Sequence, residues 1–190
     1  NGTDQDLGRR AVRDIVTRDI GNDCHDIAYF SPPCDTFTPS RYLSLVAKPV
    51  LRTFKHILGI PGLHALGDDI VRLVLDSNEL CEFTGESIIA LHARGKKWIC
   101  ENPVQRSDQY GIWKDFYEER FSDHGAFWQH PAIERARRVT GAIFVHVALC
   151  WWDMVAQKYL TLMMSSDLQY LADALRDCVC KHPKGFHSRS

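Results

Sequence analysis

The chain has 190 residues, of which 45% are hydrophobic and 25% are charged, and its formal net charge is −1. This is the profile of one globular domain with a hydrophobic core, and it excludes collagen, low-complexity linkers and extended disorder. The near-zero net charge argues against non-specific nucleic-acid binding through a global positive field and leaves only local basic patches.

We expect neither a membrane span nor a signal peptide in this sequence. The longest nearly uncharged apolar run, residues 141–152, is 12 residues long, whereas a membrane-spanning helix needs about 20. We therefore expect a buried strand there and no membrane partner. No apolar stretch follows Asn1, so we expect no signal peptide, and the 7 cysteines are interpreted as reduced thiols of an intracellular protein, nuclear or cytoplasmic. Because the chain begins with Asn rather than Met, an upstream portion of the same polypeptide is an expected partner.

The first half of the chain predicts a strand, a long helix and a second strand. Residues 7–20 contain a short near-repeat of Arg-Asp-Ile, and the sequence has no longer internal repeat. A solenoid is therefore excluded. Residues 25–30 form an apolar run closed by Ser-Pro-Pro and predict a buried strand, and prolines and glycines over 39–66 predict loop with short helical pieces. Helical spacing from Asp68 predicts a helix ending at Gly95, with a break near Thr84-Gly85 left open. Residues 97–100 then predict a second strand, so this unit implies a βαβ crossover and a parallel sheet.

The second half is less regular. Its aromatic residues are predicted to belong to the core rather than to stack on nucleic-acid bases; they are Trp113, Phe116, Tyr117, Phe127, Trp128 and the pair Trp151-Trp152. A basic segment at 135–138 precedes a predicted strand at 143–149. Leucines and an alanine over 168–175 predict a short amphipathic helix behind a Ser166-Asp167 cap.

Two residues with chemical potential follow the two predicted strands. Cys34 comes after the first strand and Glu101 after the second, and the carboxyl ends of parallel strands meet at one edge of a sheet. A thiol is a useful nucleophile when a partner neutralises the substrate as the sulfur adds. A buried carboxyl can donate a proton or hydrogen bond to a ring nitrogen. The pair therefore suits addition to an electron-poor heteroaromatic ring.

The segments around these residues resemble a known family. Residues 26–38 read DIAYFSPPCDTFT and resemble the nucleophile loop of DNA cytosine-5 methyltransferases, and residues 98–103 read WICENP and resemble that family's Glu-Asn motif in its phage and mobile-element form. The resemblance implies an α/β, Rossmann-like S-adenosylmethionine-dependent methyltransferase fold that lacks the N-terminal cofactor-binding strands. It divides the chain into a partial catalytic domain at 1–165 and a short helix with a basic tail at 166–190.

The same resemblance implies roles for individual residues and DNA as the partner. Cys34 would attack C6 of a flipped-out cytosine, Glu101 would bind its N3 and exocyclic amine, and C5 would take the methyl group. Asp14 resembles the acidic residue that contacts the cofactor adenine, with Asp19 as a rival. The remaining expected contacts are with cofactor for Pro32 and with substrate for Asn102, Pro103, Arg135 and Arg137.

The sequence also departs from the family pattern. Asp35 stands where the family has Gln, Thr38 where it has Ser, and no Gly-rich loop precedes Asp14. The interval from Cys34 to Glu101 is long, which predicts an insertion around 39–66. A catalytically inactive, methyltransferase-like module that binds nucleic acid or a partner is therefore the alternative. Another cysteine enzyme, such as an acyl transferase, is disfavoured because no His partner is evident by motif.

The C-terminal tail contains thiol and imidazole groups. They are Cys178, Cys180, His182 and His187, which are suitable zinc ligands. Their spacing is not a standard finger, so the sequence favours a basic tail without metal.

Overall fold

The computed structural model describes residues 7–42, 48–106, 119–152 and 158–182. Within these ranges the chain forms four helices and four strands joined by loops and short 3₁₀ turns. The helices are α1 (Arg10–Gly21), α2 (Asp68–Ala93), α3 (Pro131–Thr140) and α4 (Gln169–Leu175); the strands are β1 (Ile27–Phe30), β2 (Lys97–Pro103), β3 (Ile143–Ala148) and β4 (Tyr159–Met164). None of the described helices combines the length and the apolar character needed to cross a bilayer.

The strands form one mixed sheet in the order β1-β2-β4-β3. β1 and β2 are parallel, as the predicted βαβ unit requires, but β4 runs antiparallel to both of its neighbours. The expectation of a parallel sheet is therefore wrong for the pairing of β4 with β2 and with β3. The reason is the short connection from β3 to β4, because a parallel return needs a crossover of a dozen or more residues.

Each face of the sheet is covered by helices. On one face, α1, α2 and α3 pack over a core that includes Trp98, Cys100, Phe127 and Met163. On the other face, α4 packs against the β3 and β4 side of the sheet. The edge strand β1 is left open on that second face, where Ile27 is 54% exposed and Tyr29 63% exposed.

The long helix α2 is continuous through Gly85, so the break considered near Thr84-Gly85 does not occur. Gly85 serves helix packing instead, because a Cβ at this position would lie 2.7 Å from the backbone oxygen of Ala132 in α3. The helix ends before Gly95, which has a φ of 67° as the predicted C-terminal glycine should.

Two core predictions have opposite outcomes. Phe127 and Trp128 are 1% and 5% exposed, which confirms their place in the core. Trp151 and Trp152 are 43% and 49% exposed, so predicting them as core is wrong. They lie in the 3₁₀ turn Leu149–Trp152 after β3, in which Cys150 rather than the tryptophans is buried. The predicted core residues Trp113, Phe116 and Tyr117 lie outside the described residues.

The loop and tail predictions are confirmed in outline. The described part of 39–66 contains two short 3₁₀ turns, Pro39–Tyr42 and Leu63–Leu66. The tail helix is present, but Ser166 and Asp167 belong to a 3₁₀ turn before it, with no side-chain capping bond. That cap is therefore wrong, because the turn places these residues inside a helical segment rather than ahead of it.

Candidate functional site

The segment that follows β1 is joined to the C-terminal part of β2. Because β2 pairs with β4 as far as Pro103, Glu101 lies inside this strand, and the expectation that it follows a strand ending at residue 100 is wrong. Phe30 is paired with Cys100 in the strand register, which brings Ser31 beside Glu101. Ser31 Oγ donates a hydrogen bond of 2.5 Å to Glu101 Oε1, and Asn102 Nδ2 donates one of 3.0 Å to the Pro32 carbonyl. These two bonds fix the backbone two residues before Cys34.

Two polar oxygens at this edge lack a hydrogen-bond partner among the described residues. Glu101 Oε2 is a buried atom with no partner, and so is Oδ1 of Asn102, a residue that is 2% exposed. Leaving a buried polar group unpaired costs about 1–3 kcal/mol, and more for a charged one. A ligand that donates hydrogen bonds here would recover that free energy.

Cys34 begins a turn in which the following residues are anchored. Cys34 is a half-buried free thiol, and its carbonyl accepts a 2.9 Å hydrogen bond from the backbone N–H of Phe37. Asp35 is held by the buried Arg41, which donates to the Asp35 carbonyl at 2.6 Å and to its carboxylate at 2.9 Å. Arg41 also reaches the Pro49 carbonyl at 3.0 Å, so residues on both sides of the turn are tied together.

A second arginine lies beneath the turn. Arg52 is 1% exposed and donates to Thr36 Oγ1 at 3.0 Å and to Asn78 Oδ1 at 2.7 Å. Its guanidinium carbon lies 4.0 Å from the centre of the Phe37 ring. Burial lowers the pKa of Arg52 to about 10, so the side chain is still a cation at neutral pH. No sequence pattern indicates this buried charge, since a lone Arg in a loop is usually exposed.

Two buried histidines pack around Phe37. His124 Nε2 donates to the Phe37 carbonyl at 2.8 Å, and the His130 ring centre lies 6.5 Å from that of Phe37. Burial lowers the pKa of both His124 and His130 to about 4, so both are neutral at pH 7. His130 Nδ1 accepts from Ala132 N at the start of α3, while Nε2 has no partner among the described residues. His130 is thus a polar group near the turn that motif reasoning missed.

The expected cofactor-binding acid lies elsewhere. Asp14 is on the exposed face of α1, away from the helix ends, and the rival Asp19 is half-buried beside Arg18 at 3.7 Å. The hydrogen bonds that join Ser31, Pro32, Glu101 and Asn102 do not extend to either acid.

The expected substrate-binding residues are divided between two places. Pro103 ends β2 and its carbonyl accepts a 2.9 Å hydrogen bond from Trp128 Nε1, so it is buried against the core. Arg135 and Arg137 are on α3, which packs on α2. Arg135 is exposed and lines a surface cavity of about 280 Å³ between these helices, and the Arg137 guanidinium lies 5.9 Å from the Phe144 ring centre.

Comparison with known protein families, curated protein sequences and solved structures finds no match to this chain. The functional argument therefore depends on the residues themselves. The arrangement offers a thiol in an anchored turn, a carboxyl with one unpaired buried oxygen, and a neutral histidine nearby.

Proposed function

We propose that this chain is the catalytic part of a DNA cytosine-5 methyltransferase-like enzyme, with Cys34 as nucleophile and Glu101 as the residue that binds the cytosine ring. The observation that carries the proposal is the unpaired buried oxygen of Glu101 at a strand end that is hydrogen-bonded to the segment leading to Cys34. A flipped cytosine offers two complementary groups to a carboxyl, the ring nitrogen N3 and the exocyclic amine.

The chemistry follows from these two side chains. After its proton has passed to solvent, the Cys34 thiolate adds to C6 of cytosine, and the electron pair of the C5–C6 double bond moves to C5. Glu101 in its protonated form would donate its proton to N3 and accept a hydrogen bond from the exocyclic amine, which stabilises the ring as this charge develops. C5 is then able to accept an electrophile. Loss of the C5 proton to water restores the double bond and expels the thiolate, and the N3 proton returns to Glu101.

In this proposal S-adenosylmethionine supplies the methyl group when bound. The described residues do not fit that cofactor by themselves, because Asp14 lies on an exposed helix face and, within the described part of the chain, α1 is the only helix or strand before β1. Among the described strands β1 is at the edge of the sheet, which is suited to pairing with a further strand. In this proposal an upstream portion of the polypeptide pairs there and supplies the remaining cofactor contacts, while Pro32 contributes from this chain.

DNA contacts are proposed for two groups of residues. Asn102, with its unpaired Oδ1, lies beside Glu101 and would accept a hydrogen bond from the flipped base or its sugar. Arg135 and Arg137 lie on α3 and would contact phosphates, which fixes the protein on the duplex without reading sequence.

One observation favours the alternative of an inactive module. Asp35 replaces the family's Gln after the nucleophile, and its carboxylate is occupied by Arg41 at 2.9 Å. In an inactive module the same edge would bind nucleic acid or a partner without adding to the ring.

Hydrogen exchange at C5 separates the two functions without any cofactor. When Cys34 adds to C6 in D₂O, C5 takes a deuteron from solvent, and reversal leaves deuterium in the ring. We expect a cytosine oligonucleotide to gain deuterium at C5 with the wild-type chain and with Cys24→Ser, which removes an exposed thiol elsewhere. Cys34→Ser should abolish the exchange. Absence of exchange with the folded wild-type chain would favour the inactive module.

A further inference from the structure

Three metal-ligating side chains converge at the end of β3, in a region that the proposed reaction does not use. Cys150 lies in the 3₁₀ turn Leu149–Trp152, and Cys180 and His182 lie in the segment after α4. Their ligand atoms are all within 4.8 Å of one another, and Cys180 Sγ lies 3.7 Å from His182 Nδ1. The sequence groups Cys178 with Cys180, His182 and His187, whereas in the structure Cys150 takes the place of Cys178. His187 lies outside the described residues.

The backbone explains this exchange of partners. The Ala148 N–H donates a 2.8 Å hydrogen bond to the Cys178 carbonyl, which holds the tail against the end of β3. The Cys178 side chain is 8% exposed and packs with Val147 and Leu160, so it belongs to the core. Two residues further along the tail, Cys180 lies beside the turn that carries Cys150.

We propose that Cys150, Cys180 and His182 bind a zinc ion that fixes the C-terminal segment to the sheet. Thiolate and imidazole are the ligands that zinc prefers in proteins, and two thiolates balance its charge. With Zn–S and Zn–N distances of about 2.3 and 2.0 Å, a tetrahedral site separates its ligand atoms by about 3.5–3.8 Å. The distance of 3.7 Å from Cys180 Sγ to His182 Nδ1 agrees with this, and the remaining separations are at most 4.8 Å, so side-chain rotations would bring the third ligand into place.

The surroundings have room for the ion and a further ligand. A cavity of about 210 Å³ is lined by these three residues together with Trp151, Val179 and Lys181. The Lys181 ammonium lies 4.7 Å from the centre of the Trp151 ring, and this pair forms one wall of the cavity. Zinc in proteins is almost always four-coordinate, so water in this cavity is the expected fourth ligand beside the three side chains.

A disulfide between Cys150 and Cys180 is the competing use of the two thiols. The structure does not join these two cysteines in a disulfide. Under reducing conditions zinc binding keeps them as thiolates, whereas oxidation would remove both as ligands. The experiment therefore has to be performed with a reductant present.

Cobalt(II) titration of the reduced, metal-free full chain tests the site. We expect one Co²⁺ per chain, with tetrahedral d–d bands, a thiolate-to-cobalt charge-transfer band, and displacement by Zn²⁺. Cys150→Ala, Cys180→Ala and His182→Ala should each weaken binding more than about 100-fold, since even loss of an outer partner costs about 10- to 100-fold. Cys178→Ala is the matched control and should retain the spectrum and the affinity.

His182 is exposed, so its replacement tests the site without disturbing the core. Zinc should raise the Tm of the wild-type chain and leave that of His182→Ala unchanged. The proposal is overturned if the reduced wild-type chain gives no charge-transfer band. It is also overturned if Cys178→Ala loses binding while Cys150→Ala keeps it.

Discussion

The hydrogen bond from Ser31 to Glu101 makes a specific prediction about the proposed reaction. Ser31 Oγ lies 2.5 Å from Glu101 Oε1 and is the group that orients this carboxyl, leaving Oε2 for the cytosine. Ser31→Ala removes the hydroxyl and leaves the Glu101 side chain free to rotate. Ser31 is thus a positioning residue whose loss should slow addition to the ring while Cys34 remains intact.

The size of the effect follows from the exposure of the two residues. A hydrogen bond between neutral groups contributes about 0.5–1.5 kcal/mol. Ser31 is exposed and Glu101 is half-buried, so we use a value of about 1 kcal/mol. Since about 1.4 kcal/mol is a factor of ten in rate, we expect Ser31→Ala to slow the reaction about fivefold.

The assay measures the rate of deuterium exchange at C5 in a cytosine oligonucleotide, at a protein concentration that saturates the oligonucleotide. Ser31→Thr keeps the hydroxyl and should recover most of the rate, which a purely structural role for the side chain would not require. If Ser31→Ala exchanges as fast as wild type, Glu101 is not oriented by this bond. Equal losses in Ser31→Ala and Ser31→Thr would contradict the reasoning as well.

Two further predictions concern stability. Gly85→Ala should lower the free energy of unfolding by about 1–3 kcal/mol, since its Cβ would lie 2.7 Å from the Ala132 carbonyl oxygen. Urea denaturation checks this against Gly21→Ala, where nothing lies within 4 Å and little change is expected. Because burial lowers the pKa of His124 to about 4, its contribution to stability is present above the ordinary pKa of 6.5 and is lost as the pH falls from there through 4. When the pH is lowered from 7 to 5, the free energy of unfolding measured by urea denaturation should fall by about 2 kcal/mol less for His124→Gln than for wild type. Equal decreases in the two proteins would contradict the lowered pKa of His124.

The sequence predicted the elements that carry strong local signals. The α2 helix and strands β1, β2 and β3 follow from apolar spacing, prolines and a terminal glycine. Strand β4 was missed because Tyr159–Met164 shows no alternation of apolar and polar residues and is not flanked by turn residues at both ends. Its position between β2 and β3 depends on tertiary packing, which local sequence does not encode. The same absence of pattern hid the mixed character of the sheet.

The candidate site shows the same limit. Motifs pointed to Cys34 and Glu101, but they gave no information about what anchors them. Ser31, Arg41 and Arg52 act through contacts that join distant parts of the chain, and no spacing rule encodes such contacts. Cys150 could not be grouped with the tail for the same reason, since 30 residues separate it from Cys180.

The most direct test of the central claim is a covalent adduct at Cys34. An oligonucleotide containing 5-fluorocytosine is incubated with the chain and S-adenosylmethionine, together with the upstream portion of the polypeptide where it is available. Methylation at C5 leaves no proton to remove, so the sulfur stays bound to C6. The account predicts an intact mass equal to protein plus methylated oligonucleotide, with the modified peptide containing Cys34 and no adduct in Cys34→Ser. An adduct that persists in Cys34→Ser would contradict the account. It would also be contradicted if the wild-type chain formed no adduct and exchanged no hydrogen at C5 of cytosine.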